Sequence, residues 1–161
     1  MTTHSSVFSY RNLPLLFMQA REAVFASFRP TLNEAGITEP QWRILRVLLE
    51  YDALEPRQIG EICYLSSPSL AGILSRLDDL GLVTRKRLEH DQRRVHVSVT
   101  EKGRAMAASL APRIDKAYRE LEGRLGEDFV EDLYTMLNDV ILKAAAPARA
   151  EKEKARVNHD S

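Results

Sequence analysis

The chain has 161 residues, enough for one domain with a sizeable hydrophobic core. Its 23 basic and 23 acidic side chains cancel and hydrophobic residues make up 44%, which excludes a disordered chain and a strong overall electric field. A single cysteine excludes an internal disulfide and a multi-cysteine zinc site. No apolar run is long enough to cross a membrane, and Met1–Tyr10 lacks a secretory signal, so we expect a cytoplasmic protein without membrane contact.

The first predicted helix runs from Leu13 to about Phe28 and is apolar around most of its circumference. Such a helix must be covered by more than one neighbour, and a second copy of the chain is one source of that cover. A further helix begins at Thr38, where Pro40 suits the first turn and Gln41 completes a capping box.

Two short helices with a connector of about three residues follow, which predicts a helix-turn-helix. The first starts near Glu55, and the second has Ser67 as its N-cap and Gly81 as its C-terminal stop. The leading end of the second helix is small and polar, which allows close approach to phosphates and base edges in a DNA groove. The candidate DNA-contacting residues on it are Ser67, Pro68, Ser69, Gly72, Ser75 and Arg76.

A β-hairpin is predicted next, with one strand over Leu82–Leu88, a second strand that ends at Val99 and a polar turn over Glu89–Arg94. Residues 66–104 hold eight basic and five acidic side chains, a local basic patch that indicates a polyanionic partner. The candidate DNA contacts here are Lys86, Asp91, Arg93 and Arg94, with Asp91 pairing to a neighbouring arginine to shape the tip. A solvated charged hairpin, or a winged-helix module that binds protein, is the alternative.

The last predicted elements are two helices separated by Gly126. The fold expected is mainly α with a small β-hairpin, a winged helix-turn-helix with long N- and C-terminal dimerisation helices. Residues 1–52 and 105–146 form the helical dimerisation domain, residues 53–104 the DNA-binding domain, and residues 147–161 a disordered tail.

The candidate effector site is built around Arg21, whose neighbours at helical spacing are apolar and aromatic. A guanidinium in that setting requires an anionic partner, either a carboxylate ligand or an acidic residue of a partner subunit. Trp42 either stacks on a ligand ring or belongs to the core, and Arg46 either binds a ligand or pairs with Glu50. The lower-ranked polar candidates are Ser27 and His96.

The remaining chemistry-bearing residues favour neither an enzyme nor a metal site. Cys63 lies on an apolar helix face, where a thiol is usually inert, although a redox sensor that uses it remains an alternative. The four histidines show no metal-ligand spacing. We therefore expect no catalytic residues, no metal and no cofactor.

The order of these elements and one local motif resemble the MarR family of bacterial regulators. The motif is Asp91-Gln92-Arg93-Arg94 followed by Val99-Thr100-Glu101-Lys102-Gly103, with Val99 in place of the usual leucine. The resemblance covers about residues 10–145. Four further segments resemble the branch that controls homoprotocatechuate degradation, namely Gln19–Ala23, Phe28–Pro30, Gln41–Ile44 and Pro68–Leu74.

The resemblance implies a homodimer that binds double-stranded DNA and has intertwined first and last helices. It also implies a small-molecule pocket between the dimerisation domain and the winged helix. The expected function is repression of catabolic genes for aromatic acids of the 4-hydroxyphenylacetate and homoprotocatechuate type. A phenolic carboxylate would then release the protein from a pseudo-palindromic operator.

Overall fold

The computed structural model describes residues 11–157, so Met1–Tyr10 and the last four residues of the predicted tail lie outside the described part. The chain divides into two compact units, one ending at Tyr118 and the other beginning at Arg119. In the part described, no helix is both long and apolar enough to span a membrane. The elements in chain order are α1 (Leu13–Phe25), α2 (Arg29–Glu34), α3 (Glu39–Tyr51), β1 (Ala53–Leu54), α4 (Pro56–Cys63), α5 (Ser67–Asp79), β2 (Val83–Leu88), β3 (Asp91–Val99), α6 (Glu101–Leu125) and α7 (Glu127–Val157).

The N-terminal helix is shorter than the apolar pattern predicts. It begins after Asn12, whose side chain accepts a hydrogen bond from the Leu15 N–H at 3.1 Å, and it ends at Phe25. A separate helix, α2, then starts at Arg29 with Pro30 in its first turn. Proline is accommodated there because the first N–H groups of a helix have no intrahelical partner.

The predicted capping box at the start of α3 is confirmed. The Gln41 N–H donates to Thr38 Oγ1 at 3.4 Å, and the Thr38 N–H donates to Gln41 Oε1 at 2.9 Å. This reciprocal pair turns the Gln41 side chain back towards the helix start, where it is buried. Trp42 is only half-buried, whereas the sequence pattern placed it on the inner face. The fully buried apolar residues of α3 are Ile44, Leu45 and Leu48.

The predicted helix-turn-helix is formed by α4 and α5, with three differences from expectation. The helical spacing of Ile59, Ile62 and Cys63 predicts one apolar face on α4, but Ile62 is 40% exposed, because this eight-residue helix buries only the narrow face of Ile59 and Cys63. The N-cap of α5 is Ser66 instead of Ser67, so Ser67 is the first helical residue. Helical spacing predicts an inner face of four apolar residues on α5; Leu70, Leu74 and Leu77 are buried, whereas Ile73 is only half-buried.

The hairpin, hereafter the wing (β2 and β3), is tighter than predicted and has a third strand beside it. Only Glu89 and His90 separate β2 from β3, since the sheet pairing continues to Asp91. The two-residue strand β1 pairs antiparallel with β3, which gives the strand order β1-β3-β2. The predicted two-stranded hairpin is therefore incomplete.

A Thr-x-x-Gly junction connects the wing to α6. Thr100 Oγ1 donates to the Gly81 carbonyl at 2.6 Å and accepts the Gly103 N–H at 3.1 Å. A Cβ on Gly103 would lie 2.3 Å from the Leu82 carbonyl oxygen and 2.6 Å from Val99 Cγ1. Only glycine at this position lets the start of α6 approach the sheet so closely.

Helix α6 continues through Pro112. Helical spacing predicts an inner face that extends from Leu110 to Leu125, but Leu125 is 40% exposed, so the buried face ends before it. Gly126, with φ +92°, separates α6 from α7 as expected. Helix α7 then continues through Pro147 to Val157, whereas the sequence analysis predicts a disordered tail. The alanines, lysines, glutamates and arginines of this segment have high helix propensity, which that prediction overlooked.

Candidate nucleic-acid interface and effector cleft

Helix α5 presents one polar face to solvent, hereafter the α5 face. Its members are the six residues predicted from the sequence, and all of them are exposed: Ser67, Pro68, Ser69, Gly72, Ser75 and Arg76. Ser66 Oγ donates to Ser69 Oγ at 3.0 Å, which orders the hydroxyl groups at the helix start. A Cβ at Gly72 would meet nothing within 4 Å, so the middle of this face is open.

Close packing and one arginine hold the turn between α4 and α5. A Cβ on Gly60 would lie 3.2 Å from the Leu65 carbonyl oxygen, so α4 and the turn approach closely there. Arg43 Nη1 donates to the Cys63 carbonyl oxygen, the last of α4, at 2.6 Å. Nε and Nη2 of the same guanidinium donate to Glu39 Oε1 and Oε2 at 2.9 and 2.7 Å. The α5 face is thereby positioned by a residue of α3 that sequence reasoning missed.

The wing tip is shaped by Asp91. Its carboxylate accepts the backbone N–H of Arg93 at 3.1 Å, whereas the sequence predicts a side-chain pair with an arginine. Within the described part of the chain, the exposed side chains of Lys86 and Arg93 form no ion pair or hydrogen bond. These two cations are therefore available to a polyanion.

Arg94 is engaged within the protein. Its Nε donates to Glu55 Oε1 at 2.7 Å, and its Nη2 contacts the same oxygen. The hydrogen bond and negative charge of Glu55 raise the pKa of Arg94. Because Glu55 is the N-cap of α4, this pair fastens β3 to the helix-turn-helix. His96 Nε2 lies 3.8 Å from the same Glu55 oxygen.

Two clefts with volumes of about 310 and 470 Å³ lie between α3 and α6 and share one wall. Together they are the candidate effector site, hereafter the effector cleft. Both volumes fall in the range of small-molecule sites. Arg46 in this wall is half-exposed, and its nearest contact with Glu50 is 3.8 Å. The shared lining residues are Trp42, Arg46, Glu50, Ile114 and Tyr118.

Tyr118 was missed by the sequence analysis, although it lies four residues after buried Ile114 on the same face of α6. Its ring packs on Phe28 with 4.4 Å between centroids, which extends the aromatic wall of the smaller cleft. Of the candidate ligand-binding residues, Trp42 and Arg46 lie together at the effector cleft. Ser27 and His96 are not among the residues that line it.

Arg21 is more exposed than its apolar neighbours predict, with 56% of its side chain accessible. Its anionic partner is Glu39 of the same chain, 2.9 Å away, which neither predicted alternative named. The guanidinium also lies 5.9 Å from the centre of the Phe25 ring. Arg21 does not line the effector cleft itself, but Glu39 lines the smaller of the two clefts.

Cys63 is buried, with 1% of its surface exposed, and forms no disulfide. Burial raises the pKa of its thiol, an effect that the Arg43 charge reduces and the Glu39 charge reinforces. The reactive thiolate is correspondingly scarce, because burial favours the neutral form.

Comparisons with known proteins identify the family of this chain. A sequence profile of the MarR family matches residues 35–94. The homoprotocatechuate degradative operon repressor of Escherichia coli is 34% identical over 130 residues, which are 81% of this chain and 88% of that protein. The HTH-type transcriptional regulator FarR of Neisseria gonorrhoeae is 40% identical over 111 residues, 69% of this chain and 76% of that protein. The chain belongs to the MarR family.

Membership of the MarR family confirms the resemblance drawn from the wing motif and the predicted winged-helix fold. A solved family structure, NadR in complex with 4-hydroxyphenylacetate, is 35% identical and superposes with a TM-score of 0.71. That match covers 84% of this chain and 96% of the NadR chain. This protein is thus a transcriptional regulator of the MarR family, and its relatives are regulators by name, not enzymes.

Proposed function

We propose that this regulator is a homodimeric repressor of genes for the breakdown of 4-hydroxyphenylacetate or homoprotocatechuate-type acids. A phenolic carboxylate releases it from a pseudo-palindromic operator. The observation that carries the proposal is the effector cleft, in which the Arg46 guanidinium stands beside the aromatic side chains of Trp42 and Tyr118. This cleft lies in the same compact unit as the α5 face and the wing.

The DNA contacts follow from the geometry of α5 and the wing. The α5 face enters the major groove, where its hydroxyl groups and Arg76 reach base edges and phosphates. Arg93 and Lys86 approach the backbone and minor groove from the wing, because their charges are not neutralised within the described chain. Arg94 holds the wing in place through Glu55. Two copies occupy half-sites with centres about 10 bp apart.

The proposed dimerisation domain keeps the bounds predicted from the sequence, residues 1–52 and 105–146. Helix α1 exposes apolar side chains at Leu13, Leu15, Leu16, Phe17 and Met18. Helix α7 exposes Phe129, Tyr134, Met136, Leu137, Val140, Ile141 and Leu142. Large apolar faces of this kind mark protein contacts, and a second copy of the chain covers them.

The effector is held by charge at one end and by stacking along its ring. Arg46 and Glu50 form only a loose, solvent-exposed pair, which contributes little stability, so a ligand carboxylate can replace Glu50. Trp42 and Tyr118 offer aromatic faces to the phenol. Arg21 influences the site through Glu39, and Ser27 adjoins the lining residue Phe28. The names of the Escherichia coli repressor and of the NadR complex support this class of acid.

The proposal is tested by fluorescence anisotropy on DNA from upstream of the protein's own gene. 4-Hydroxyphenylacetate or 3,4-dihydroxyphenylacetate at micromolar to millimolar concentration should release the wild-type protein. Arg46→Gln should bind DNA with unchanged affinity and no longer respond. Arg57→Gln, which removes an exposed guanidinium paired with Glu61 on α4, is the matched control.

Each result bears on a separate part of the proposal. Absence of salt-sensitive DNA binding contradicts the whole function and favours a protein-interaction module. DNA binding that no phenolic acid alters contradicts the effector. Release that is unchanged in Arg46→Gln removes the guanidinium of the effector cleft from recognition.

A further inference from the structure

Arg43 connects the effector cleft with the turn in front of α5. Its side chain lines the smaller cleft and is partly buried. On one side it binds Glu39 through two hydrogen bonds of 2.9 and 2.7 Å. On the other side it donates to the Cys63 carbonyl oxygen at 2.6 Å. One rigid, planar guanidinium thus links a cleft carboxylate to the backbone of the helix-turn-helix.

The hydrogen bond to the Cys63 carbonyl oxygen helps to hold the turn between α4 and α5. Cys63 is the last residue of α4, where carbonyl groups have no intrahelical donor. Tyr64, which follows it, has a left-handed backbone with φ 53°. A non-glycine residue is strained in that conformation, so the turn depends on the bonds around it. The Arg43 hydrogen bond is one of these, and the α5 face begins three residues after Tyr64.

The other partner of Arg43 is the Glu39 carboxylate, which faces the cleft where the ligand would bind. Glu39 lines the smaller cleft and binds the guanidinium groups of both Arg43 and Arg21. Partial burial raises the pKa of Glu39, but the hydrogen bonds and charges of Arg43 and Arg21 outweigh it and leave the pKa below its ordinary value. Glu39 is therefore ionised at neutral pH, and a second carboxylate in the cleft competes with it for Arg43.

We propose that Arg43 is the positioning residue that couples effector binding to DNA release. An anion in the effector cleft draws the guanidinium away from Glu39, and the hydrogen bond to the Cys63 carbonyl oxygen is lost. The strained turn at Tyr64 then relaxes and moves the α5 face from its DNA-binding position. This inference rests on the proposed function, because it requires an anionic effector at this cleft.

The test measures the coupling factor, which is the ratio of operator dissociation constants with and without saturating 4-hydroxyphenylacetate. Coupling between two sites typically changes affinity about 5- to 150-fold. In Arg43→Gln the factor should fall towards 1, while calorimetry still detects 4-hydroxyphenylacetate binding to the protein without DNA. Arg43→Lys keeps the charge but cannot span both partners, so it should lower the factor as well.

Arg57→Gln is the matched control, since Arg57 also pairs with a glutamate four positions away on a helix but does not line the effector cleft. Its coupling factor should equal that of the wild type. A merely structural Arg43 would weaken DNA binding equally with and without effector and leave the factor unchanged in both Arg43 variants.

The possible failures are distinguishable. A wild-type protein that 4-hydroxyphenylacetate does not release contradicts the proposed function. A released wild type with an unchanged factor in Arg43→Gln, or in Arg43→Lys if the glutamine variant does not fold, overturns the coupling alone. Complete loss of 4-hydroxyphenylacetate binding in both Arg43 variants also overturns it, because Arg43 would then be the main anchor of the ligand in place of Arg46 and not the residue that couples its binding to DNA release.

Discussion

Adjacent arginines at the wing tip have different tasks because side chains alternate along a β-strand. Arg94 is directed to Glu55 at the start of α4, and its charge is used inside the protein. The side chain of Arg93, the preceding residue on the strand, is expected on the opposite face of the sheet. Only the backbone N–H of Arg93 is hydrogen-bonded, to the Asp91 carboxylate. The sequence alone assigns both to DNA, since two successive arginines carry the same charge. The contact with Glu55, 39 positions away, separates their roles.

Arg93→Ala should weaken operator binding and flatten its dependence on salt. Each phosphate contact contributes about 0.9 to the slope of log K against log [salt], so loss of one contact per protomer lowers the slope by about 1.8. A salt titration by anisotropy measures this change. Lys143→Ala, which removes a cation from α7, should leave the slope unaltered. An unchanged slope in Arg93→Ala would remove the wing tip from the DNA contact.

Cys63 should resist oxidation in the folded protein. Its thiol is buried and its pKa is raised, so less thiolate is present at any pH below that pKa than for an exposed cysteine. A thiol-reactive chromophore should label the native protein slowly and the urea-unfolded protein rapidly. Peroxide should not alter operator affinity in either the wild type or Cys63→Ser. Peroxide-induced release that Cys63→Ser prevents would favour the redox-sensor alternative.

The sequence indicated some site residues better than others, and the reason is physical. Exposure of the α5 face follows from helical periodicity, because Leu70 and Leu74 fix which side is buried. The partner of Arg21 does not follow from periodicity within α1. Glu39 reaches it only through the packing of a different helix, and Tyr118 joins Trp42 in the lining of the cleft in the same way.

At the scale of elements, the wing and α6 meet at Gly103, where an added Cβ would lie closer to a backbone atom than at any other glycine. Gly103→Ala should destabilise the protein by about 1–3 kcal/mol, because the new Cβ overlaps the Leu82 carbonyl oxygen at 2.3 Å. Gly123→Ala, on the same helix with nothing within 4 Å of its Cβ, should stabilise by up to about 1 kcal/mol through helix propensity. Urea unfolding compares the two, and an equal effect would show that the junction tolerates a side chain.

Helices with clear termini were predicted accurately, whereas short elements were not. The capping box at Thr38 and the glycine at Gly126 define their helix ends locally. Strand β1 has only two residues and α2 only six, too few for a hydrophobic period to be recognised. Strand β1 exists because β3 offers an edge at Val97 and Ser98, which is a property of the sheet and not of residues 53–54.

At the scale of the whole molecule, two exposed apolar faces of the described chain lie on α1 and α7. Both helices carry exposed leucine, phenylalanine or methionine side chains. Burial of apolar area contributes about 25 cal/mol per Å², so covering these faces strongly favours association. The exposed faces thus support the proposal that the helical parts flanking the winged helix in sequence form the dimerisation domain.

Ile141→Glu should convert the dimer to a monomer. Ile141 is 57% exposed in one chain, and a surface substitution at a truly solvated position changes stability by less than about 0.5 kcal/mol. In the dimer the new carboxylate would be buried without a partner, which costs several kcal/mol. Ile62→Glu, at an isoleucine with 40% exposure on α4 outside the proposed dimerisation domain, is the control and should stay dimeric. Sedimentation velocity measures both masses, and a dimeric Ile141→Glu protein would show that this face of α7 remains in water.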